Sequence, residues 1–295
     1  MNKQQLKADL ALLIATAFWG TTYVLTKFAL DFFGPLNIIS IRFILAAVTL
    51  VIIFHRRLIN TTRPLLVRAL LASAMLLLSF LSMNYALLYT SASNAAFIGG
   101  TTVLFVALFE RLLLKRKLKK RIWLCVVLTL TGIGLLTINS DVRFVFGIGE
   151  LLSLGCAVSY ALYILLIDRF TEEYDPVALS TWQMVFIALA STLLTFSFET
   201  YKIPSDGTSW LVILLLAFPC TAIAYVAQIL AQKYTTPTHA SLIISLETVF
   251  AGLFAFVILR EVLAPLNYVG AVLMFISLVI MEFPEQAIQR PKSSH

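Results

Sequence analysis

One acidic residue, Glu247, lies within a predominantly apolar stretch of the chain that runs from His239 to Leu259. In a helix rising about 1.5 Å per residue, Glu247 lies roughly 12 Å from the start of this stretch, well inside any hydrocarbon layer that the stretch crosses. An ionised carboxylate is costly there, so we expect Glu247 to be protonated, hydrogen-bonded to protein, or in contact with water in a cavity. Two roles stay open: proton coupling or recognition of a substrate amine, and a structural hydrogen bond to a neighbouring helix.

Four aromatic residues in two other apolar stretches are candidates for the lining of a central cavity. Trp19 and Tyr23 lie in one stretch, and Tyr160 and Tyr163 lie in the other. Trp19 falls opposite Tyr160 when the two stretches are aligned. Aromatic faces hold apolar or cationic groups, so these side chains are candidate substrate contacts; packing against helices or lipid is the alternative.

Uncharged polar residues and glycines complete the candidate substrate site. Asn84, Gln183 and Gln228 carry side-chain amides inside apolar stretches, so we expect them to face protein or water, as substrate contacts or as interhelical hydrogen bonds. Gly99 and Gly100 are adjacent in one stretch. Two adjacent glycines let a helix bend or approach another backbone closely, so they mark either a gate or a tight contact.

Several charged residues near the ends of the apolar stretches have simpler expected roles. We expect Lys27 and Arg42 to extend their long side chains to the lipid headgroups rather than to bind an anion. His239 is expected to cap a helix or to face water rather than to sense pH. The acidic and basic residues expected to lie at the membrane interface without a specific role are Glu110, Glu150, Asp168 and Arg169.

These residues are embedded in a chain too apolar for a water-soluble protein. Of its 295 residues, 60% are hydrophobic and 13% are charged, against roughly 45–50% and 25% in soluble domains. Apolar runs of about 20 residues cross a bilayer as helices. The first run is expected to be a retained span rather than a signal peptide. The ten runs have the approximate limits 8–30, 36–54, 66–89, 92–114, 122–139, 147–167, 177–198, 210–232, 239–259 and 266–281.

The basic residues indicate how these runs are oriented. Of the 22 Lys and Arg residues, 17 fall on the side that carries both termini and the segment from Lys115 to Arg121, and 5 fall on the other side. Basic loops stay cytoplasmic, so we predict a multi-pass protein of the cell membrane with both termini in the cytoplasm. Because the basic residues lie between apolar runs, the formal charge of +7 does not indicate nucleic-acid binding.

An internal duplication relates the two halves of the chain. The segment that begins at Tyr89 aligns without a gap over about 45 residues with the segment that begins at Tyr234, which places Gly100 opposite Ser245, a further candidate substrate contact. Upstream, with the offset changed by four, Pro35 aligns with Pro176. Five runs per half is an odd number, so the second half enters the membrane from the opposite face. We therefore predict an all-α integral membrane protein with ten transmembrane helices in two inverted-topology five-helix repeats, residues 8–139 and 147–282, followed by a cytoplasmic tail, 283–295.

Several motifs resemble those of the EamA-type branch of the drug/metabolite transporter superfamily. They are Ala17-Phe-Trp-Gly, Pro35 with Ile41-Arg42-Phe43, and Ser245-Leu-Glu-Thr-Val-Phe-Ala with Arg260-Glu261, and the resemblance extends from about residue 10 to residue 282. It implies a ten-helix carrier of small metabolites, commonly an exporter. Cargo in that family includes amino acids and related compounds, sugars and phosphate esters. One departure is that Arg116 stands where the repeat alignment would place a counterpart of Glu261.

The function expected from these features is secondary transport of a small, amino-acid-like metabolite, with export as the expected direction, Glu247 as the coupling group and protons as candidate coupling ions. A passive channel or a lipid-flipping protein of the same fold is the alternative, and a membrane-embedded enzyme is a distant one. The chain contains no GxxxxGK[ST], HExxH or GxSxG sequence. Its three cysteines show no metal-ligand or disulfide spacing, so no cofactor or metal is expected. Two halves in one chain make a complete bundle, so a monomer is expected to suffice.

Overall fold

The computed structural model describes residues 3–90, 92–137, 147–259 and 265–282, in which helices are joined by short irregular segments and no β-strand occurs. A six-residue π-helical segment, Phe218–Ile223, lies between α9 and α10. The predicted end of a run at Asn139, the Arg260-Glu261 pair and the tail 283–295 lie outside the described residues. The helices are α1 (Lys3–Ala29), α2 (Pro35–Leu58), α3 (Arg63–Tyr89), α4 (Ala92–Gly100), α5 (Thr102–Leu112), α6 (Lys120–Thr137), α7 (Ile148–Glu173), α8 (Pro176–Phe198), α9 (Gly207–Ala217), α10 (Ala224–Gln232), α11 (Pro237–Ile244), α12 (Glu247–Leu259) and α13 (Pro265–Glu282).

The prediction of an all-helical chain with membrane-spanning segments is confirmed for the described residues. Seven helical segments are long and apolar enough to cross a membrane. They coincide with the first four predicted runs and with the sixth, seventh and eighth. The fifth, ninth and tenth runs contain α6, the pair α11 and α12, and α13, which are shorter or interrupted.

Capping chemistry explains where several helices begin. Thr236 precedes α11, and its side chain accepts a hydrogen bond from the backbone N–H of His239. Asp175 precedes α8 in the same way, with its carboxylate accepting from the N–H of Ala178 at 2.8 Å. A proline follows each capping residue at the first helical position, where its missing N–H costs no helical hydrogen bond.

Helix packing joins elements from both halves of the chain. The most extensive contacts are those of α2 with α8, of α3 with α7, and of α6 with α13, while α1 packs along α10 and α12. The largest buried cluster contains Trp19, Phe43, Tyr163 and Tyr225, which come from four different helices. The core therefore lies between the halves rather than within either one.

Polar contacts join helix termini at two opposite ends of the bundle. At one end, called the Glu110 end after the buried carboxylate of α5, Arg57 in the last turn of α2 forms an ion pair with Asp175 before α8, at 2.8 Å. At the other end, named here the Glu199 end, Thr90 after α3 donates a hydrogen bond to Glu150 in the first turn of α7. Successive crossings of the chain therefore run in alternate directions between these two ends.

The start of α2 is held at the Glu199 end by the carboxylate of Glu199. Its two oxygens accept hydrogen bonds from the backbone N–H groups of Leu36 and Asn37, each at 3.1 Å. A Cβ atom on Gly34 would lie 2.2 Å from the Glu199 carboxylate, so only glycine lets the carboxylate approach this closely. A negative group at the first turn of a helix is favoured by the helix dipole as well as by the two hydrogen bonds.

We expect Glu199→Gln to weaken the junction of α2 and α8, because the amide keeps one acceptor oxygen and loses the charge. The loss should be about 1–2 kcal/mol, which corresponds to a fall of roughly 3–6 °C in the apparent melting temperature of the detergent-solubilised protein. Glu173→Gln, which changes an exposed carboxylate at the end of α7, is the matched control. Equal melting temperatures for both variants would remove this role from Glu199.

Candidate functional site

A cavity of about 100 Å³ lies between the two halves of the bundle. From the first half, its lining includes residues of α1, α2, α3, α4 and α5. From the second half, it includes residues of α7, α10, α11 and α12. The predicted site residues that line it are Trp19, Tyr23, Asn84, Gly99, Gly100, Tyr160, Ser245 and Glu247.

The first interrupted helix reaches the cavity where α4 ends and α5 begins. The backbone makes a tight turn here, since the N–H of Thr101 bonds to the carbonyl of Ile98 at 3.0 Å. The side chain of Thr102 donates to the carbonyl of Gly99 at 2.7 Å. Two glycines weaken the helix and two threonine hydroxyls bind the released carbonyls, which accounts for the break at this position.

The second interrupted helix has the same local chemistry where α11 ends and α12 begins. The N–H of Leu246 bonds to the carbonyl of Ile243 at 3.1 Å, and the Ser245 hydroxyl donates to the carbonyl of Leu242 at 2.7 Å. The two breaks occupy equivalent places in the halves, since Gly100 aligns with Ser245. Interrupted helices place helix ends and backbone polar groups inside the bundle, where they line a binding cavity.

Glu247 is the first residue of α12 and lines the cavity. The hydroxyl of Tyr23 on α1 donates a hydrogen bond to its Oε1 atom at 3.0 Å. For Oε2, no hydrogen-bond partner lies among the described residues. The structure thus combines the interhelical hydrogen bond expected of a structural residue with the cavity position expected of a functional one.

An aromatic cluster forms one wall of the cavity and extends beyond the residues expected from the sequence. The ring centroids of Trp19 and Tyr225 are 5.1 Å apart, and those of Phe80 and Tyr225 are 6.0 Å apart. Trp19 also donates a hydrogen bond to the carbonyl of Cys220 at 3.0 Å, which fixes its ring. Carried upstream, the offset that pairs Tyr89 with Tyr234 also pairs Phe80 with Tyr225, so the two halves contribute aromatic rings from corresponding positions.

Three predicted site residues lie outside the cavity lining. Tyr163 donates a hydrogen bond to the side chain of Gln183 at 3.2 Å, and Gln228 accepts one from Tyr160 at 3.3 Å. Asn84 lines the cavity and donates from its amide to the carbonyl of Phe80 at 2.8 Å. In this arrangement Gln183 and Gln228 therefore make interhelical hydrogen bonds, and Asn84 has a cavity position.

The expectation that Arg42 extends to the lipid headgroups is wrong. Its side chain is 1% exposed and lines the cavity. The error arises because the sequence places Arg42 near a helix end but does not reveal that α3 and the π-helical segment cover it. Lys27 is exposed, as expected of a residue that reaches the headgroups. Other polar cavity residues that sequence reasoning missed are Thr22, Thr26, Ser79, Thr102, Cys156 and Ser241.

A buried polar network lies beyond the cavity at the Glu110 end. Glu110 at the end of α5 is 2% exposed and accepts hydrogen bonds from the backbone N–H and the hydroxyl of Thr238, at 3.1 and 2.6 Å. Arg116 lies 3.4 Å from Glu110 and 3.0 Å from Asp168 on α7. The expectation that Glu110 and Asp168 are interfacial residues without a specific role is therefore wrong.

The charges of this network stabilise one another. Burial opposes the charged form of Arg116, but the nearby carboxylates of Asp168 and Glu110 raise the pKa of Arg116 above its usual value. Beside them, Asp9 on α1 lies 3.3 Å from the Nε2 atom of His239 on α11, so His239 is not directed to water as expected. These contacts join α1, α5, α7 and α11 and close the bundle between the cavity and the Glu110 end.

Comparison with known proteins agrees with this architecture. A sequence model of the EamA-like transporter family matches residues 6–138 and 147–283. An uncharacterized transporter of Archaeoglobus fulgidus is 32% identical over 278 residues, which cover 94% of this chain and 86% of that protein. The uncharacterized transporter YwfM of Bacillus subtilis is 25% identical, with 97% of each chain covered.

A solved crystal structure shares the fold. It superposes with a TM-score of 0.81 at 18% sequence identity and covers 93% of this chain and 96% of its own. The family model accounts for both halves of the chain, and the relatives carry the names of transporters. The chain is therefore a membrane protein that belongs to the EamA-like transporter family.

Proposed function

We propose that the protein is a secondary carrier that moves a small, amino-acid-like metabolite across the cell membrane by alternating access between two inverted halves. The observation that carries this proposal is a cavity lined from both halves at two equivalent helix breaks and closed at the Glu110 end. Ten membrane crossings follow when α6, the pair of α11 and α12, and α13 are added to the seven longer segments. The family name supports transport rather than catalysis.

The pattern of helix contacts supports an inverted repeat. Exchanging the halves converts the packing of α3 on α7 into that of α10 on α1, and the packing of α5 on α7 into that of α12 on α1. Each of these contacts occurs. The contacts of α2 with α8 and of α6 with α13 each join two corresponding helices, so the exchange leaves them unchanged. Such a pair of halves can exchange conformations at little intrinsic cost in free energy.

We assign the Glu110 end to the cytoplasm because the basic segment from Lys115 to Arg121 lies there. Both termini then lie in the cytoplasm. The cavity lining reaches the last turns of α1 and α3 at Thr26 and Leu87, near the Glu199 end. This arrangement corresponds to an outward-facing state with its cytoplasmic side closed. Export is proposed from the family resemblance, and a monomer is proposed to suffice because both five-helix halves of the bundle lie in one chain.

The alternate state should use the residues that align with the present cavity lining. Thr22 aligns with Tyr163 and Arg42 with Gln183, at the offset that pairs Pro35 with Pro176. Met83 aligns with Gln228, at the offset that pairs Tyr89 with Tyr234. Exchanging the conformations of the halves would bring Tyr163, Gln183 and Gln228 into the cavity and release the hydrogen bonds that they now make.

Counterflow separates this proposal from a channel or a lipid-flipping protein. Proteoliposomes loaded with one of the twenty common L-amino acids are diluted into a trace of the same labelled compound. A carrier gives a transient accumulation of label that a channel cannot give. A protein that flips lipid instead equilibrates a labelled phospholipid between leaflets and gives no amino-acid counterflow.

We expect Glu247→Gln to separate exchange from proton coupling. Counterflow of the amino acid found in that panel should stay within about threefold of the wild-type rate, because the glutamine side chain can still accept a hydrogen bond from Tyr23. Accumulation driven by an imposed pH gradient should fall at least about tenfold, because an amide cannot bind and release a proton at neutral pH.

Glu173→Gln provides the control, since it removes an exposed carboxylate at the end of α7 that does not line the cavity. It should leave both rates unchanged. If Glu247→Gln keeps its response to the pH gradient, Glu247 is not the coupling group.

Single cysteines should report the exchange of the two halves. In a chain whose native cysteines are replaced, a membrane-impermeant thiol reagent should label Met83→Cys from the outside and Gln228→Cys from the cytoplasmic side. Adding Arg116→Ala should increase labelling of Gln228→Cys several-fold, because it breaks the ion pairs with Glu110 and Asp168 that close the Glu110 end.

Arg111→Ala, which removes another cation from the end of α5, is the matched control and should not change this labelling. Labelling of both cysteines from one face would contradict alternating access. So would a Gln228→Cys protein that stays unlabelled after loss of Arg116.

A further inference from the structure

Arg42 is a buried cation of the cavity, and the part of the chain that the structure describes gives it no counter-ion. Its guanidinium lies over the ring of Phe80 at 4.8 Å and beside that of Phe43 at 5.9 Å. Among the described residues, no carboxylate lies within ion-pair distance of it. Glu247, which lines the same cavity, is hydrogen-bonded to Tyr23 instead.

The π-helical segment holds the guanidinium in place with part of its hydrogen-bonding capacity unused. Nε donates to the Thr221 hydroxyl, and Nη2 donates to the carbonyl of Cys220 at 3.3 Å. A guanidinium carries five N–H groups. The remaining three have no acceptor among the described residues. Since Arg42 lines the cavity, these donors are available to a molecule within it.

A buried cation without a counter-ion is too costly to be explained by packing alone. A neutral side chain would fill the same space without the desolvation penalty of a charge. The second half of the chain uses such a residue, since Gln183 aligns with Arg42, carries no charge and accepts a hydrogen bond from Tyr163. The charge in the first half therefore indicates a bound anion. The planar fork of a guanidinium matches the two oxygens of a carboxylate.

We propose that Arg42 binds the carboxylate of the transported molecule, so that the cargo is a small carboxylic acid. Its apolar part lies against the aromatic rings of Trp19, Phe80 and Tyr225, which line the same cavity as Arg42. In this arrangement Glu247 can exchange protons or bind an amino group of the same molecule. This assignment rests on the proposed function, because it takes the cavity as the transport site.

Matched ligands test the assignment by thermal melting of the detergent-solubilised protein. Each of alanine, leucine and phenylalanine is compared with its carboxamide and with the acid that lacks the amino group. In at least one of the three series, the two carboxylates should raise the apparent melting temperature of the wild-type protein. The carboxamide should bind at least about tenfold more weakly, since a charge-assisted hydrogen-bonded pair is lost.

Arg42→Gln places in the first half the residue that the second half uses at the aligned position. This variant should bind acid and amide with about equal affinity. Arg42→Lys should keep part of the wild-type preference for the acid. Lys27→Gln removes an exposed cation outside the cavity lining and should keep the full preference. A change in the ratio of acid to amide affinities separates recognition from a general loss of stability.

Three results would overturn the assignment: wild-type protein that binds acid and amide equally in every series, wild-type protein that binds no member, or an Arg42→Gln protein that keeps the preference. If Arg42→Gln fails to fold, the wild-type comparison and Arg42→Lys still decide. Counterflow of the same compounds separates this assignment from the transport proposal. Binding through Arg42 without counterflow contradicts transport alone, whereas counterflow of amide and acid at equal rates contradicts the role of Arg42 alone.

Discussion

Every backbone N–H and C=O group that enters a hydrocarbon layer must find a partner within the protein, and the rest of this structure depends on that constraint. It forces the described chain into helices and allows irregular backbone only where other helices cover it. At the break after Gly100, threonine hydroxyls bind the released carbonyls, and at the break near Ser245, serine and threonine hydroxyls do the same. The irregular backbone therefore lies inside the bundle, and the cavity lies beside it.

The same constraint explains how the cavity acquires its polar groups. Pro219 has no N–H to donate to the preceding turn, and the helix widens into the π-helical segment around it. The carbonyl of Cys220 in this segment accepts hydrogen bonds from both Trp19 and Arg42. A local interruption of one helix thus positions an aromatic ring and a cation that belong to two others.

The helices and some of the residues that line the cavity could be predicted from the sequence, because apolar length and residue type are local properties. Apolar length located the seven helical segments that are long enough to cross a membrane, and the Gly99-Gly100 pair marked one of the helix breaks. Burial was harder to predict. Arg42 and Glu110 lie near helix ends in the sequence, where solvent or headgroups are the ordinary surroundings of a charge, but neighbouring helices enclose both. Enclosure depends on contacts between distant parts of the chain, and no local pattern reports it.

Arg42 and Gln183 occupy corresponding positions in the two halves but differ in charge, and this difference bears on how such a bundle evolves. A bundle assembled from two separate, identical half-chains would have to carry the same residue at both positions, and so two buried guanidiniums or none. Two cations in one apolar core would double the desolvation cost and repel each other. Fusion of the halves into one polypeptide lets each position mutate independently. Covalent duplication thus frees the two halves to become chemically different while their helices keep the same packing.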